Sequence, residues 1–207
     1  FYLNFIFFYT KRIMFKHIIK YNFLELIKIF FFELIHIGRN FNFNYIKSNN
    51  SKYFDHVPTP YYYLYKIYSD IKSYKKKVYF LDLGCGTGRV INFFFNKGFS
   101  NIIGIEQAKK IYQLCLNQII SNKIKLLNVD ILNYKIPENI GIIFLYNPGP
   151  LKLIRKLINK LVKGNHKNIK IIYVKPVFLS SFKDNFEIVK KDCDKKFRGY
   201  VILRLKK

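Results

Sequence analysis

The sequence predicts an α/β fold built on a mostly parallel sheet that ends in an antiparallel hairpin. From Val78 onward, short apolar runs alternate with segments of helical period, which is typical of parallel strands joined by right-handed crossovers. Near the C-terminus, two segments of alternating polarity flank the polar loop DCDKKFRG, which is a hairpin signature. Half of the 207 residues are apolar and 19% are aromatic, a composition that favours a packed core over disorder.

The predicted elements follow one another from residue 58. Pro58-Thr59-Pro60 opens a helix over 61–74, with Thr59 as its N-cap and Pro60 in the first helical position. Strands are predicted at 78–83, 102–105, 124–128, 141–145, 169–174, 186–190 and 200–205, and the helices between them at 89–97, 108–120 and 151–162.

An additional helix is predicted near the N-terminus, over residues 23–37 (FLELIKIFFFELIHI). Glu25, Lys28, Glu33 and His36 fall on one stripe at 100° per residue, and the rest of the circumference is apolar. The segment is shorter than the about 20 apolar residues of a membrane span, and its acidic residues do not suit a signal peptide. We expect this helix to pack on the main domain, with membrane-surface contact as the less favoured alternative.

The chain divides at a polar, Asn-rich connector over residues 38–57. We therefore expect an N-terminal helical extension and connector at 1–57 and a single α/β domain at 58–207. The chain begins at Phe1 and its only methionine is Met14, so residues 1–13 are expected to be upstream translation or a fragment end.

Charge and cysteine content narrow the choice of partners. Lys and Arg number 37 against 12 Asp and Glu, a net charge of +25, which favours polyanions such as RNA, ribosomes or anionic membrane surfaces. AT-rich coding bias is an alternative source of the lysines, although it does not account for so few acidic residues. Three cysteines without a CxxC pair and four scattered histidines argue against a zinc site or a disulfide framework. We expect no metal and a cytoplasmic location.

The strongest motif is FLDLGCGTGRV, residues 80–90. A buried strand ends at Asp82 and runs into Gly84, Gly86 and Gly88, which allow a sharp turn and a close approach to a ligand. A dinucleotide fingerprint would place Gly or Ala where this chain has Arg89. The spacing suits a ligand without a pyrophosphate, such as a nucleoside that bears an amino acid.

Three further strands each end in a polar residue. Glu106 follows the second strand, where an acidic side chain can accept both ribose hydroxyl protons. Asp130 follows the third strand and can accept from an exocyclic adenine amine. Asn147 follows the fourth, in the stretch FLYNPGP. Ligands of open α/β sheets bind at this edge, so the ordered set predicts one site.

Taken together, LDLGCGTGRV, GIEQ, NVDI and LYNPGP resemble the successive motifs of class I S-adenosylmethionine-dependent methyltransferases. The resemblance implies a Rossmann-like seven-stranded sheet with its last strand antiparallel. It also implies that Asp82 and the loop of Gly84, Gly86 and Gly88 hold the methionine moiety, Glu106 the ribose and Asp130 the adenine amine.

The stretch at Asn147 resembles the Asn/Asp-Pro-Pro-aromatic motif of amine-directed nucleic-acid methyltransferases, in which the polar residue accepts from the target amine and the aromatic ring stacks on a flipped base. This chain has Gly149-Pro150 in the last two places, so that ring is missing. Pro-Thr-Pro before the glycine motif is similar to bacterial relatives of protein-lysine methyltransferases. That likeness implies that Thr59 and Tyr61 cover the cofactor and that Asn147 lines the acceptor side.

The leading expectation is methyl transfer from S-adenosylmethionine to an amine-bearing acceptor, with a protein as the favoured acceptor. The alternatives are an rRNA or tRNA methyltransferase, which the charge favours, and a basic scaffold that binds the cofactor without turnover. No general base can be named, since His56 is a lone histidine in the connector.

Overall fold

The computed structural model describes residues 23–36, 57–74, 78–164, 166 and 168–206. The helices are α1 (Phe23–Ile35), α2 (Tyr61–Ile71), α3 (Arg89–Asn96), α4 (Lys109–Leu116) and α5 (Leu151–Lys163). The strands are β1 (Tyr79–Leu83), β2 (Ile102–Ile105), β3 (Lys125–Leu127), β4 (Ile140–Tyr146), β5 (Lys170–Val174), β6 (Phe186–Cys193) and β7 (Gly199–Leu205). Short 3₁₀ turns lie at Lys72–Tyr74 and Leu179–Phe182.

The seven strands form one sheet in the order β3-β2-β1-β4-β5-β7-β6. Strands β1 to β5 pair in parallel, and β7 lies antiparallel between β5 and β6. The predicted mixed sheet with its last strand antiparallel is confirmed. The reversal of strand order beside β1 places a crevice at the carboxyl ends of β1 and β4, where ligands of such sheets bind.

The core has two halves, one on each face of the sheet. One half joins Phe80, Phe144 and Ile172 to residues of α2 and α3, and the other joins Leu81, Ile143 and Ile171 to α5. Because the central strands are covered on both faces, β4 is apolar at nearly every position instead of alternating. The strand ends are consequently held rigidly.

The predicted boundaries differ from the structure in several places. The helix predicted over 108–120 ends at Leu116, β3 spans only Lys125–Leu127, and β6 continues beyond residue 190 to Cys193. In each case, the apolar pattern does not reveal where main-chain pairing stops, which is decided by the neighbouring strand or turn.

The predicted N-cap of α2 is wrong. Pro60 occupies the cap position without a side-chain cap bond, and Thr59 is buried one residue earlier. The N–H of Tyr61 donates instead to Oε1 of Glu33 in α1, at 2.8 Å. A carboxylate from another helix thus performs the capping that a local side chain usually provides.

Helix α1 packs on α2 through its polar stripe. Tyr63 Oη donates to Glu25 at 2.7 Å, and the His36 ring stacks on Tyr61 at 3.8 Å between centroids. Ile29 and Phe32 add apolar contact with α2 and its surroundings. The large side chains left exposed lie on the opposite side of α1 and are Leu24, Ile27, Phe30, Phe31, Leu34 and Ile35.

The expectation that this helix packs on the main domain agrees with these contacts, and of the polar stripe Glu33 and His36 are buried whereas Lys28 is exposed. No helix in the described ranges is both long and apolar enough to cross a membrane. Residues 1–22 and most of the predicted connector, with His56, lie outside the described residues, so the division at residues 57 and 58 stays a prediction.

Candidate active site

The glycine loop between β1 and α3 has the backbone that its glycines predict. Gly84, Gly86 and Gly88 have φ values of +86°, +56° and +92°, all in the left-handed region that disfavours other residues. A Cβ at Gly88 would lie 2.9 Å from Cys115 Sγ, so this position also needs a hydrogen for close packing. The loop is tied to β2, because the N–H groups of Gly84 and Cys85 both donate to Ile105 O at 2.9 Å.

Asp82 lies beneath this loop as a buried carboxyl group. Its side chain is 2% exposed, and Oδ2 has no hydrogen-bond partner. Burial raises the pKa of Asp82 well above 3.8, and the nearby Glu106 raises it further. A buried acceptor without a donor is uncommon and calls for a donor or a cation from a ligand.

Glu106 extends from the end of β2 toward the same loop. Its Oε2 accepts from Gly86 N at 3.1 Å and its Oε1 from Ala108 N at 2.8 Å. Burial raises the pKa of Glu106, against the lowering effect of these backbone donors. A carboxylate has about four lone-pair positions, and the backbone N–H groups of Gly86, Gln107 and Ala108 use three of them, so one remains for a hydroxyl donor.

Asp130 lies three residues beyond β3, where it caps a turn. Oδ1 accepts from Leu132 N at 2.8 Å, and Oδ2 accepts from Gln107 Nε2 at 3.1 Å. Gln107 follows Glu106 directly and therefore links the second and third strand ends. Asn128 adds a second link by donating to the carbonyl oxygen of Glu106 at 2.7 Å.

Asn147 follows β4 in a left-handed conformation, with a φ of +41°. Asparagine tolerates this region better than most residues, which explains its place before Pro148. Its Oδ1 is buried and has no hydrogen-bond partner. A Cβ at Gly84 would lie 3.9 Å from Pro148 Cβ, so the loop after β4 adjoins the glycine loop.

Thr59 and Tyr61 lie beside the start of α3. Thr59 is 3% exposed, and its carbonyl oxygen accepts from Arg89 Nη1 at 3.3 Å. The guanidinium carbon of Arg89 lies 4.7 Å from the centre of the Tyr61 ring. Thr59 and Tyr61 thus contact the element that follows the glycine loop, rather than the strand ends themselves.

A buried ion pair joins this region to α1. Arg89 Nη1 lies 3.1 Å from Glu33 Oε2, and both side chains are nearly inaccessible. Burial raises the pKa of Glu33 in spite of the neighbouring Arg89. The sequence shows both residues in recognisable motifs, but it contains no signal that they pair.

A cavity lies behind the glycine loop. It has a volume of about 590 Å³ between α2, α3 and the turn after α4, and Tyr61, Tyr65 and Phe93 line it with Thr87. Asp82, Glu106, Asp130 and Asn147 do not line it. The candidate site is therefore defined by the strand ends and not by this cavity.

In the part of the chain that the structure describes, no group of three or more His, Cys, Asp and Glu side chains could hold a metal ion. The described cysteines are free thiols, and Cys85 and Cys115 are both buried.

The solved structures that resemble this chain are methyltransferases. A candidate methyltransferase from Escherichia coli matches with a TM-score of 0.59 and 14% identity, over 70% of this chain and 86% of that one. The fold is that of S-adenosylmethionine-dependent methyltransferases. Magnesium protoporphyrin IX methyltransferase from Synechocystis, solved with S-adenosylmethionine bound, matches this methyltransferase fold with a TM-score of 0.52 and 13% identity, over 68% of this chain and 76% of that one.

A candidate RNA methyltransferase from Pyrococcus horikoshii shares the methyltransferase fold with a TM-score of 0.50 and 16% identity, over 69% of this chain and 78% of that one. No protein-family model and no curated protein sequence matches the chain. The proteins with this fold include a methyltransferase named for a porphyrin and one named for RNA, so the fold leaves the acceptor open.

The structure brings the sequence-predicted strand-end residues to one edge of the sheet. Asp82, Glu106 and Asn147 surround the glycine loop, and Asp130 joins them through Gln107. Sequence reasoning did not identify Gln107 as a link. The only available signal was its position directly after Glu106 at a strand end.

Proposed function

We propose that this protein transfers the methyl group of S-adenosylmethionine to an amine-bearing acceptor. The observation that carries the proposal is the pair of buried, unpartnered oxygens at adjacent strand ends, Asp82 Oδ2 and Asn147 Oδ1, on either side of a left-handed glycine loop. Unsatisfied buried acceptors reduce stability, so their presence beside each other favours a ligand-binding role.

The residues present fit the cofactor. Asp82 Oδ2 is available to accept from its ammonium group, and the remaining lone-pair position of Glu106 is available for a ribose hydroxyl. Asp130 would accept from the adenine amine while it continues to cap its turn, and Thr59 would lie over the cofactor from the α2 side. When bound, the cofactor supplies a methyl group on a positively charged sulfur.

The role of Asn147 would be to orient the acceptor. Its unpartnered Oδ1 can accept a hydrogen bond from an amine N–H and so direct the nitrogen lone pair. Methyl transfer is an in-line displacement, in which positioning and exclusion of water contribute most of what the protein supplies. The buried strand ends provide both, because their backbone is fixed by the sheet.

Two classes of acceptor fit this site. A protein amine is favoured by the resemblance of the Pro-Thr-Pro and glycine segments to relatives of lysine methyltransferases, and by the missing aromatic residue after Asn147-Pro148. An RNA amine is favoured by the net charge of +25.

The proposal is tested by incubating the protein with S-adenosylmethionine labelled in its methyl group and a cell lysate of low methylation background. Label that is removed by protease would identify a protein acceptor, and label removed by ribonuclease would identify RNA. Cofactor binding measured by calorimetry without turnover would leave a binding scaffold or a small-molecule acceptor. Absence of cofactor binding would contradict the proposal itself.

A further inference from the structure

Helix α5 has two sharply different faces. Ile154, Leu157, Ile158 and Leu161 are buried against the sheet. The opposite face carries Lys152, Arg155, Lys156 and Lys163, all exposed. The helix has five basic residues and no acidic residue in 13 positions, whereas the whole chain has 37 basic residues in 207. The fraction of basic residues is thus about twice as high in α5 as in the whole chain.

The exposed basic residues form one continuous row. At 100° per residue, these four side chains fall within a sector of about 100°. At 1.5 Å per residue, the row from Lys152 to Lys163 is about 16 Å long. We call this row the α5 basic face.

Lys160, the fifth basic residue, does not belong to this row. Its Nζ donates to Leu132 O at 2.7 Å, and burial lowers its pKa. It therefore fastens α5 to the loop that follows Asp130, and this contact keeps the helix in a fixed relation to the strand ends.

The α5 basic face begins beside the candidate acceptor loop. Leu151, the first residue of α5, is four residues after Asn147, and Pro150 is the N-cap. Because β4 ends at the carboxyl edge of the sheet, α5 starts at that edge and returns toward the other. The row of positive charge consequently leads from Asn147 along the outside of the domain.

We propose that the α5 basic face binds the phosphate backbone of RNA and so brings an RNA acceptor to Asn147. The orientation of the acceptor rests on the proposed function, whereas the binding surface does not. Several lysine and arginine side chains on one side of a helix suit the repeating negative charge of a phosphate backbone. A membrane surface is less suited, because the apolar side of α5 is buried and cannot insert. A folded protein partner would usually need an apolar or aromatic centre, whereas the exposed residues of α5 are basic except for Asn159 and Val162.

The test compares two matched double variants. Lys152→Gln/Lys156→Gln removes two charges from the α5 basic face. Lys123→Gln/Lys125→Gln removes two exposed charges at the β3 edge, three strands from β4. The probe is a short fluorescent single-stranded RNA of mixed sequence, and affinity is measured by anisotropy over a series of salt concentrations.

We expect the first double variant to bind RNA less tightly and to flatten the slope of log affinity against log salt by about 1.4, the value for two single-strand phosphate contacts. The β3-edge variant should keep the wild-type slope. Equal losses in both variants would overturn the proposal in favour of diffuse attraction, and absence of RNA binding by the wild type would also overturn it. If the α5 basic face bound anionic lipid vesicles or an acidic protein more tightly than RNA, the proposal of an RNA partner would be wrong.

Cofactor binding by calorimetry separates this proposal from the proposed function. Both double variants should bind S-adenosylmethionine like the wild type, because the substituted side chains are exposed, whereas Asp82 is buried. RNA binding through α5 without any cofactor binding would contradict the proposed function and leave the surface intact. Cofactor binding with methyl transfer only to protein, and no α5-dependent RNA affinity, would support the proposed function and contradict the RNA-binding role of α5.

Discussion

At the scale of single residues, the strand-end site contains polar groups that do not help the ligand-free protein to fold. Asp82 and Asn147 each have a buried oxygen without a donor, and Asn147 also has a positive φ. Such groups cost about 1–3 kcal/mol each when they stay unpaired. Substitutions that remove these groups should therefore keep or raise stability and lower activity, as is common at functional sites.

Replacement of Asp82 by Asn tests this separation through pH. Burial and Glu106 raise the pKa of Asp82, so the folded protein binds this proton more tightly than the unfolded chain. The protonated Asp82 side chain contributes fully to stability below pH 3.8, and this contribution is lost as the pH rises from there through the raised pKa. Asp82→Asn should match the wild type in Tm at acid pH and exceed it near neutrality, while it loses cofactor affinity.

Asp194→Asn provides a control of opposite sign. Although slight burial acts to raise the pKa of Asp194, hydrogen bonds from the Arg198 side chain and from backbone N–H groups hold the pKa below 3.8. Its contribution is present above pH 3.8 and is lost as the pH falls, so this substitution should lower Tm near neutrality. The same change in Tm for both variants would contradict the role of burial at Asp82.

Asn147→Gly is expected to spare the fold and impair turnover. Glycine accepts the φ of +41° without strain and removes the unpartnered Oδ1, so the free energy of unfolding should stay the same or rise by about 1 kcal/mol. The rate constant kcat should fall because the acceptor amine loses its hydrogen-bond acceptor. Loss of cofactor affinity with unchanged kcat would instead make Asn147 a cofactor contact.

At the scale of secondary-structure elements, α1 is held in place by buried polar contacts. Glu33 accepts from Arg89 at the start of α3 and from the backbone of Tyr61 at the start of α2. One carboxylate therefore connects three helices. This arrangement explains why Glu33 faces inward and the apolar side of α1 is left exposed.

A double-mutant cycle on Glu33 and Arg89 should reveal strong coupling. Arg89→Met leaves the Glu33 carboxylate buried without its cation and should lower the free energy of unfolding by about 3–5 kcal/mol. Adding Glu33→Gln should restore part of that loss, because glutamine keeps an acceptor for Tyr61 N without a buried charge. Denaturant unfolding gives the four free energies.

The ion pair between Lys190 and Asp70 is the matched control, because Lys190 is half exposed and its N–O distance is 3.8 Å. Lys190→Met should change the free energy of unfolding by less than about 1 kcal/mol. Additive effects in the cycle of Glu33 and Arg89 would show that the two residues are not energetically coupled.

At the scale of the whole molecule, ligand binding should appear as stabilisation of the entire domain. The glycine loop is connected to β2, to Glu106 and, through α3, to α1, so a ligand that orders the loop acts on the shared core. A ligand present at 100 times its Kd should stabilise the fold by about 2.7 kcal/mol.

S-adenosylmethionine should therefore raise Tm, whereas NAD should not, because Arg89 occupies the place of the last small residue of the dinucleotide fingerprint. Glu106→Ala should weaken the cofactor affinity by about 1.5–3 kcal/mol through loss of a charged hydrogen bond. Thermal unfolding with each ligand gives the shifts, and calorimetry gives the affinities. A rise in Tm with NAD, or an unchanged affinity in Glu106→Ala, would contradict the assignment of the site.

Local sequence patterns were sufficient to predict much of the fold and the position of most of the candidate site residues. The left-handed backbone of Gly84, Gly86 and Gly88, the apolar run of β4 and the polar residue near the end of each of the first four strands are all local properties. Because parallel strands end at a common edge, local patterns also predicted that Asp82, Glu106, Asp130 and Asn147 lie at one edge of the sheet. The sequence by itself thus determined the fold class, the strand ends and the glycine loop.

Only the tertiary structure decided how α1 is oriented, what caps α2 and which polar atoms lack partners. Periodicity identifies the polar stripe of α1, but it does not say whether that stripe meets water or Arg89. The capping of α2 by Glu33 and the link of Asp130 to Gln107 depend on residues that are distant in the chain and close in space. The physical reason is that hydrogen bonds and buried charges are satisfied in three dimensions, whereas backbone preference and apolar pattern are expressed along the chain.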